Sequence, residues 1–306
     1  MSDYKYDIAF VILSYNAFEV TKNCIESIKK NIDTSKYIIV IVDNGSEKST
    51  LENLGTLRDS HISLIKLEEN NGFARGNNVG IKYAFDQGSK YICCINNDTL
   101  LEQKKFYGTL DEKYTKTNVA LIGPQIVRPD GRIQSFNPKL LSLDDYRKHL
   151  NAICYSDDLN FKEKIKRILL KIGIIKKLNE KRHKNNNIEQ NNKNNDVNPM
   201  IEMRDVVLHG CCLIFTPDFF KKLTGFNNRT FLYYEEQLLF LSLKQAGLHS
   251  LYTPDLNFKH IGKVSTNIAN GNNNKEKNQY KRNNEIESLK ILIDELEKTK
   301  DIKNVK

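Results

Sequence analysis

Tryptophan is absent from this 306-residue chain, but 14 tyrosines and 14 phenylalanines leave ample aromatic area for a core. Cysteine is scarce, with six residues at positions 24, 93, 94, 154, 211 and 212. No CxxC spacing occurs and two adjacent pairs sit in apolar, strand-like runs, which argues against a zinc site or a disulfide framework. No apolar run approaches the length of a membrane span, and the polar start Met1–Tyr6 lacks the features of a signal peptide. A reducing cytoplasm is the compartment expected. Hydrophobic residues make up only 39%, yet the blocks Ile8–Leu13, Ile38–Val42 and Val206–Phe215 exclude disorder of the whole chain. At about 150 residues per domain the length allows two domains, and such a chain buries roughly three quarters of its unfolded surface without covalent staples.

Charge is present in excess of one sign. Lys and Arg number 47 against 38 Asp and Glu, a net charge of +9 with an isoelectric point near 9.0. That balance favours polyanionic neighbours: nucleotides, nucleic acid or an anionic membrane face. The positive charge concentrates in Phe161–Arg182 and the C-terminal tail, without a nucleic-acid recognition motif, so nucleic acid is not an expected partner.

Along the chain, Asp7–Leu13, Tyr37–Val42, Ile62–Leu67 and Tyr91–Ile95 are short β-branched runs of the kind buried on both faces of a sheet. Between them, Ala17–Asn31 and Gly76–Gln87 carry helical spacing, the second with Val79, Tyr83 and Ile81 inward. The alternation predicts βαβ units and a mostly parallel sheet flanked by helices, with ligands at the carboxyl ends of its strands. Val119–Pro124 continues as a strand, and Asp130-Gly131 signals a hairpin. The pattern lapses from about Leu140 to Asn198. Inside that lapse, Phe161–Leu178 has an apolar stripe flanked by Lys and Arg, suited to an anionic membrane surface or to packing on its own domain, and Asn185–Asn198 reads as disordered. Order resumes as a strand-like run at Asp205–Thr216, a helix start at Pro217, and a helix Glu236–Ala246 closed by Gly247.

Polar clusters end the strands. Asp43 is placed to accept hydrogen bonds from a ribose or base, or to cap its own turn. In Asn70–Asn78, Gly72 and Gly76 let backbone amides approach phosphate, Arg75 adds a positive charge, and a helix start follows. Asn96-Asn97-Asp98 offers hard oxygen ligands for Mg²⁺ or Mn²⁺, or a common turn. Glu235-Glu236 is a carboxylate pair that can hold one pKa near neutrality, as a general base requires, or can complement a helix dipole. A lone histidine, His260, is weak evidence by itself.

Taken in order, Ile12-Leu13-Ser14-Tyr15-Asn16, Ile41-Val42-Asp43-Asn44-Gly45-Ser46, Asn70–Asn78 and Asn96-Asn97-Asp98 resemble the glycosyltransferase family 2 pattern. Gly225-Phe226, Phe231–Glu236, and Tyr252-Thr253-Pro254 with His260 resemble its later half, rhamnosyltransferase-like members above all. The resemblance implies a GT-A fold and a sugar transfer with inversion from a UDP- or dTDP-sugar, with divalent metal, to a hydroxyl of a glycan or lipid-linked acceptor in bacterial surface polysaccharide synthesis. It assigns Ser14, Tyr15, Asn16 and Asp43 to the nucleoside, with Gly72, Arg75, Gly76, Asn77 and Asn97 on the donor side. Asp98 and His260 become metal ligands, and Glu236 the base with Glu235 beside it. Its expected organisation is a donor half at 1–135, a basic, Asn-rich insertion at 136–204, an acceptor half at 205–266 and a helical tail at 267–306. Two departures stand out. Asn96 occupies the first acidic position of the DxD-type metal motif, and Leu238 and Ser242 stand where many relatives carry Asp and Arg. They motivate one alternative, a catalytically weak nucleotide-sugar-binding protein of the same fold. A sugar-phosphate nucleotidyltransferase would need a Gly-rich loop after the first strand, where Ser14-Tyr15-Asn16 stands.

Overall fold

The computed structural model describes residues 4–134, 136–137, 139–154, 198–262 and 274–304. Their centre is the strand β1 (Tyr6–Ser14), parallel to β2 (Tyr37–Asp43) on one side and β4 (Ser89–Asn96) on the other. Strand β3 (Ile62–Lys66) extends the sheet beyond β2. Beyond β4, β10 (Cys212–Phe215) runs antiparallel between β4 and β6 (Leu121–Val127). Next to β6 lies the parallel β11 (Ser250–His260), which carries the short antiparallel strands β5 (Thr99–Leu100) and β8 (Met203–Arg204). The result is a nine-stranded, mostly parallel sheet, and a two-stranded sheet of β7 (Phe136–Asn137) with β9 (Val207–Leu208) accompanies it.

The two-residue period of a strand explains the layering. Ile8, Phe10 and Ile12 of β1 pack with Cys24, Ile25 and Ile28 of α1 (Phe18–Asn31) and with Phe106 and Leu110 of α4 (Phe106–Thr117). The alternate residues Ala9 and Val11 face the other way, onto Ala74, Ile81 and Ala84 of α3 (Gly72–Asp86). Helix α3 corrects the sequence reading twice. It begins at Gly72 rather than Gly76, and Val79 is exposed while Ile81 is fully buried. The buried face is made of Gly72, Ala74, Gly76, Asn77, Gly80, Ile81 and Ala84, mostly glycine and alanine, which let the helix sit close to the strands; periodicity of large apolar residues does not reveal such a face.

Helix α2 (Lys48–Gly55) follows β2, and α6 (Pro217–Phe220) starts with proline as expected. Helix α7 (Glu235–Gln245) ends before Gly247. The last helix, α8 (Asn274–Asn304), buries Leu289 and Leu292, and its Ser288 hydroxyl donates to the Leu232 carbonyl at 2.8 Å. Residues Met1–Leu141 and Pro199–Lys306 form one compact unit and Ser142–Asn198 a second. In the second, Ser142 caps α5 (Leu143–Cys154) by accepting the Asp145 amide at 3.1 Å and donating to the Asp145 carboxylate at 2.6 Å. The basic segment Phe161–Leu178 and the Asn-rich run up to residue 197 lie outside the described residues. Among those described, no helix is long and apolar enough to cross a membrane.

Candidate active site

Three parallel strands deliver Ser14, Asp43 and Asn96 to one sheet edge, with Ser14 level with Asp43 and Leu13 level with Asn96. Asp43 is fully buried. Its Oδ2 accepts the Ser46 amide at 3.2 Å and so caps the turn, whereas Oδ1 is buried with no hydrogen-bond partner. One carboxylate oxygen therefore serves the turn and the other is left for a ligand N–H or O–H. Asn16, at φ 49°, joins the two strand-end loops by donating its amide to Ser46 Oγ and accepting the Glu47 amide, both at 2.8 Å. Tyr15 is half-buried beside it. Ser14 and Asn97 are both buried. The Ser14 hydroxyl pairs with Thr21 Oγ1 at 2.9 Å, and Asn97 Nδ2 donates to the same oxygen at 3.2 Å.

The segment Asn70–Asn78 is a clasp. Asn44 donates to Asn70 Oδ1 and the Gly72 carbonyl and accepts the Asn71 amide, at 2.9, 3.2 and 3.0 Å. Gly72 adopts φ +77°, and a Cβ there would lie 2.3 Å from the Phe231 carbonyl oxygen. That oxygen accepts the Phe73 amide at 2.8 Å, while Gly72 N–H donates to Asn70 Oδ1 at 2.9 Å. Asn78 pairs with both backbone groups of Phe226, at 2.8 and 2.9 Å, and Arg75 Nε donates to the Asn228 carbonyl at 2.9 Å from an exposed position. Asn77 is buried and donates back to the Phe73 carbonyl. Through Phe73, Arg75 and Asn78 the segment is therefore bonded to residues 226–231, about 150 positions away in sequence, while the Gly72 amide and Asn77 bond within the segment. Gly76, between Leu13 and Asn44, keeps the helix close to β1.

What the clasp holds is the loop leading to the acidic pair. Tyr233 and Tyr234 both have positive φ, 79° and 64°, a costly backbone for two aromatic residues and one that persists only where the surroundings impose it. Glu236 then accepts the Gly210 amide at Oε1, 3.1 Å away. A side chain at Gly210 would place its Cβ 2.5 Å from that oxygen, so glycine is what admits the carboxylate. Leu208, Leu213 and Leu239 line the same pocket as Glu236, and burial pushes its pKa up against the lowering pull of the Gly210 amide. Glu235 is only 5% exposed and its Oε1 lacks a partner. Burial first, and the Glu236 charge second, push its pKa to about 8 from 4.5.

The sign of that shift yields an expected result. Folded Glu235 keeps a proton that the unfolded chain releases, so its contribution to stability is fully present below pH 4.5 and is lost as pH rises through about 8. Thermal unfolding of Glu235→Gln between about pH 5 and about pH 9 is expected to show a smaller decline than the native chain, with Tm values converging at the acid end. Parallel curves would contradict a buried, proton-holding Glu235.

Across the same turn lies the other half of the site. Asp98 is 5% exposed and lies two residues past the end of β4. Pairing of β11 with β5 sets His260 opposite Thr99, and His260 Nε2 comes within 3.2 Å of Asp98 Oδ1. The contact lacks hydrogen-bond geometry, since Asp98 Oδ1 is buried without such a partner. Two adjacent donor atoms that do not satisfy each other suit a shared divalent cation, with carboxylate and imidazole as ligands. Among the described residues no group of three or more His, Cys, Asp or Glu side chains forms a metal cage. A cation here would take its remaining ligands from water and substrate.

Sequence reasoning passed over His209. It lies in the turn between β9 and β10, where the strand-like run Asp205–Thr216 is interrupted. Its Nδ1 accepts the Cys211 amide at 3.2 Å and its ring centroid is 6.1 Å from that of His260. Burial and His260 push its pKa down to about 4, with Asp98 opposing. A histidine directly before a glycine in an apolar run was the signal available.

The two positions of α7 that depart from the resembled pattern are both uncharged. Leu238 is 1% exposed, and the Ser242 hydroxyl one turn later donates to the Leu238 carbonyl at 3.0 Å, so no charge is left unpaired.

The family model for Glycosyl transferase family 2 matches residues 9–189. Over 230 residues the chain is 23% identical to the low-salt glycan biosynthesis hexosyltransferase Agl10 of Haloferax volcanii, covering 75% of this chain and 59% of that one. It is 28% identical over 123 residues to the poly-beta-1,6-N-acetyl-D-glucosamine synthase of Staphylococcus epidermidis, covering 40% of this chain and 29% of that one. Among solved structures, that of GalNAc-T7 with UDP, GalNAc and Mn²⁺ superposes with a TM-score of 0.55 at 14% identity, over 87% of this chain and 45% of that one. The chain therefore spans less than two thirds of the length of each, and the structural likeness establishes a shared GT-A fold.

Proposed function

The chain belongs to glycosyl transferase family 2, and from that premise we propose that it transfers a hexosyl or deoxyhexosyl group, with inversion, from a UDP- or dTDP-sugar to a hydroxyl of a glycan or lipid-linked acceptor. The observation carrying this reading is that a single turn, His209-Gly210-Cys211, meets Glu236 on one side through the Gly210 amide. On the other it is tied to the strand end preceding Asp98, the Cys211 carbonyl accepting the Asn96 amide at 2.8 Å. In this reading the proton acceptor and the diphosphate-binding pair share one small scaffold, as an in-line displacement demands.

In the proposed reaction Glu236 takes the proton of the acceptor hydroxyl as that oxygen attacks the anomeric carbon. The bond from that carbon to the diphosphate oxygen breaks on the opposite face, and the nucleoside diphosphate leaves with the electron pair. Asp43 Oδ1 accepts from the base. Asp98 and His260 would hold a divalent metal, which would supply positive charge to neutralise the departing diphosphate. Glu235, kept protonated by its burial, avoids adding a second negative charge beside Glu236. Surface polysaccharide synthesis is the proposed setting, supported by a relative named as a polymer synthase.

Asn96 favours the rival reading of a weak binder, because a neutral amide replaces a carboxylate at the metal. The test is a screen of nucleotide sugars for protection against thermal unfolding, with and without Mn²⁺, followed by donor hydrolysis. A ligand at 100 times its Kd stabilises by about 2.7 kcal/mol, so a UDP- or dTDP-sugar is expected to raise Tm by several degrees, more so with Mn²⁺. No shift with any nucleotide sugar would defeat the proposal, and metal-dependent binding without hydrolysis would favour the weak binder.

A further inference from the structure

The clasp leaves a question about the diphosphate. The amides of Gly72 and Phe73, at the helix start where an anion was expected, already donate to Asn70 and Phe231. Arg75 is turned to Asn228. Asp98, the carboxylate of the Asp98–His260 pair, repels an anion unless a cation intervenes. A diphosphate has non-bridging oxygens beyond those a cation takes, and they need N–H donors.

His209 fits that need. Its Nδ1 is an acceptor for the Cys211 amide, so its proton resides on Nε2. An imidazole in that tautomer donates at Nε2 and has no lone pair there for a metal. The ring is half-buried, 6.1 Å from the His260 ring, on a turn fixed from both ends: Gly210 N–H to Glu236, and Cys211 C=O from Asn96 N–H. Three separate elements, the β4–β5 turn, the end of β11 and the β9–β10 turn, thus bring Asp98, His260 and His209 together. Resting on the transferase reading, we infer that His209 is a diphosphate-binding residue, donating from Nε2–H to a non-bridging oxygen of the nucleoside diphosphate held at Asp98 and His260. The bond strengthens as negative charge collects on the departing diphosphate, which makes His209 a stabiliser of the leaving group as well as a reader of its second phosphate.

Titration calorimetry of the whole chain with Mn²⁺ and UDP, dTDP, UMP or dTMP tests this, on the native chain, His209→Ala and His209→Gln. The native chain is expected to prefer diphosphates over monophosphates. His209→Ala is expected to lose about 10- to 100-fold in diphosphate affinity, the size of a hydrogen bond to a charged group, and little for the monophosphates. His209→Gln, which keeps an N–H donor, is expected to recover part of the loss. Unchanged diphosphate affinity in His209→Ala, or equal losses on mono- and diphosphates in both variants, would overturn the inference while leaving the transferase reading standing. A native chain that binds no diphosphate would defeat that reading and this inference together.

Discussion

Glu236→Gln is expected to lower kcat by ~10²–10⁴, the range for loss of a positioned general base, while donor affinity stays close to that of the native chain. The amide is isosteric and its Oε1 can still accept from Gly210 N–H, so the 209–211 turn that carries His209 keeps its place. Only the capacity to take a proton is removed. The burial that raises the Glu236 pKa makes the native carboxylate a stronger base than an exposed one. The rate of the native chain should therefore climb with pH on the alkaline side of the ordinary carboxyl range, and the variant should lose that limb. Near-normal turnover by Glu236→Gln with a working acceptor would remove Glu236 from the role and leave Glu235 as the remaining carboxylate.

Asp98→Ala is expected to fail differently. Donor binding in Mn²⁺ should weaken by about 10²-fold or more, since changes even outside a metal's ligand shell cost 10- to 100-fold, and turnover should fall with it. Metal-free stability should not fall in parallel. Asp98 Oδ1 is a buried oxygen without a hydrogen bond, so removing it relieves an unsatisfied group. A variant with Tm equal to or above that of the native chain, yet blind to Mn²⁺, is the signature of a residue retained for binding. Calorimetry and thermal unfolding on the same samples give both quantities. A large loss of Tm with donor affinity intact would make Asp98 a structural residue.

Much of this arrangement is legible in the residues themselves. The β-branched runs that become β1, β2 and β4 need no tertiary information, since burial on both faces leaves no other use for Ile-Ile-Val-Ile-Val. Because such strands run parallel, the polar turns at Asp43 and Asn96 fall on one edge, and the acidic pair at the head of α7 is visible from its own spacing. The illegible parts depend on contacts distant in sequence. Nothing local says that Asn78 will grip Phe226, or that Gly72 will meet the Phe231 carbonyl at positive φ. A Gly-Arg-Asn segment before a helix has the composition of an anion site, and only its tertiary partners make it a clasp. Ser14 and Asn97 likewise have a bond that no local pattern announces, each to Thr21 Oγ1. His209 was hidden by its surroundings, an apolar run that reads as one strand until Gly210 breaks it for Glu236.

The proposed transfer is a single displacement driven by Glu236, and the stereochemistry of donor hydrolysis tests it without knowledge of the acceptor. Proton NMR of the native chain with Mn²⁺ and the nucleotide sugar that protects it best would identify the anomer first released, before mutarotation. Water taking the acceptor's place should yield the sugar inverted at its anomeric carbon, and Glu236→Gln should slow that release by the factor seen in transfer. First release of the retained anomer, or inverted release that Glu236→Gln leaves untouched, would contradict the mechanism.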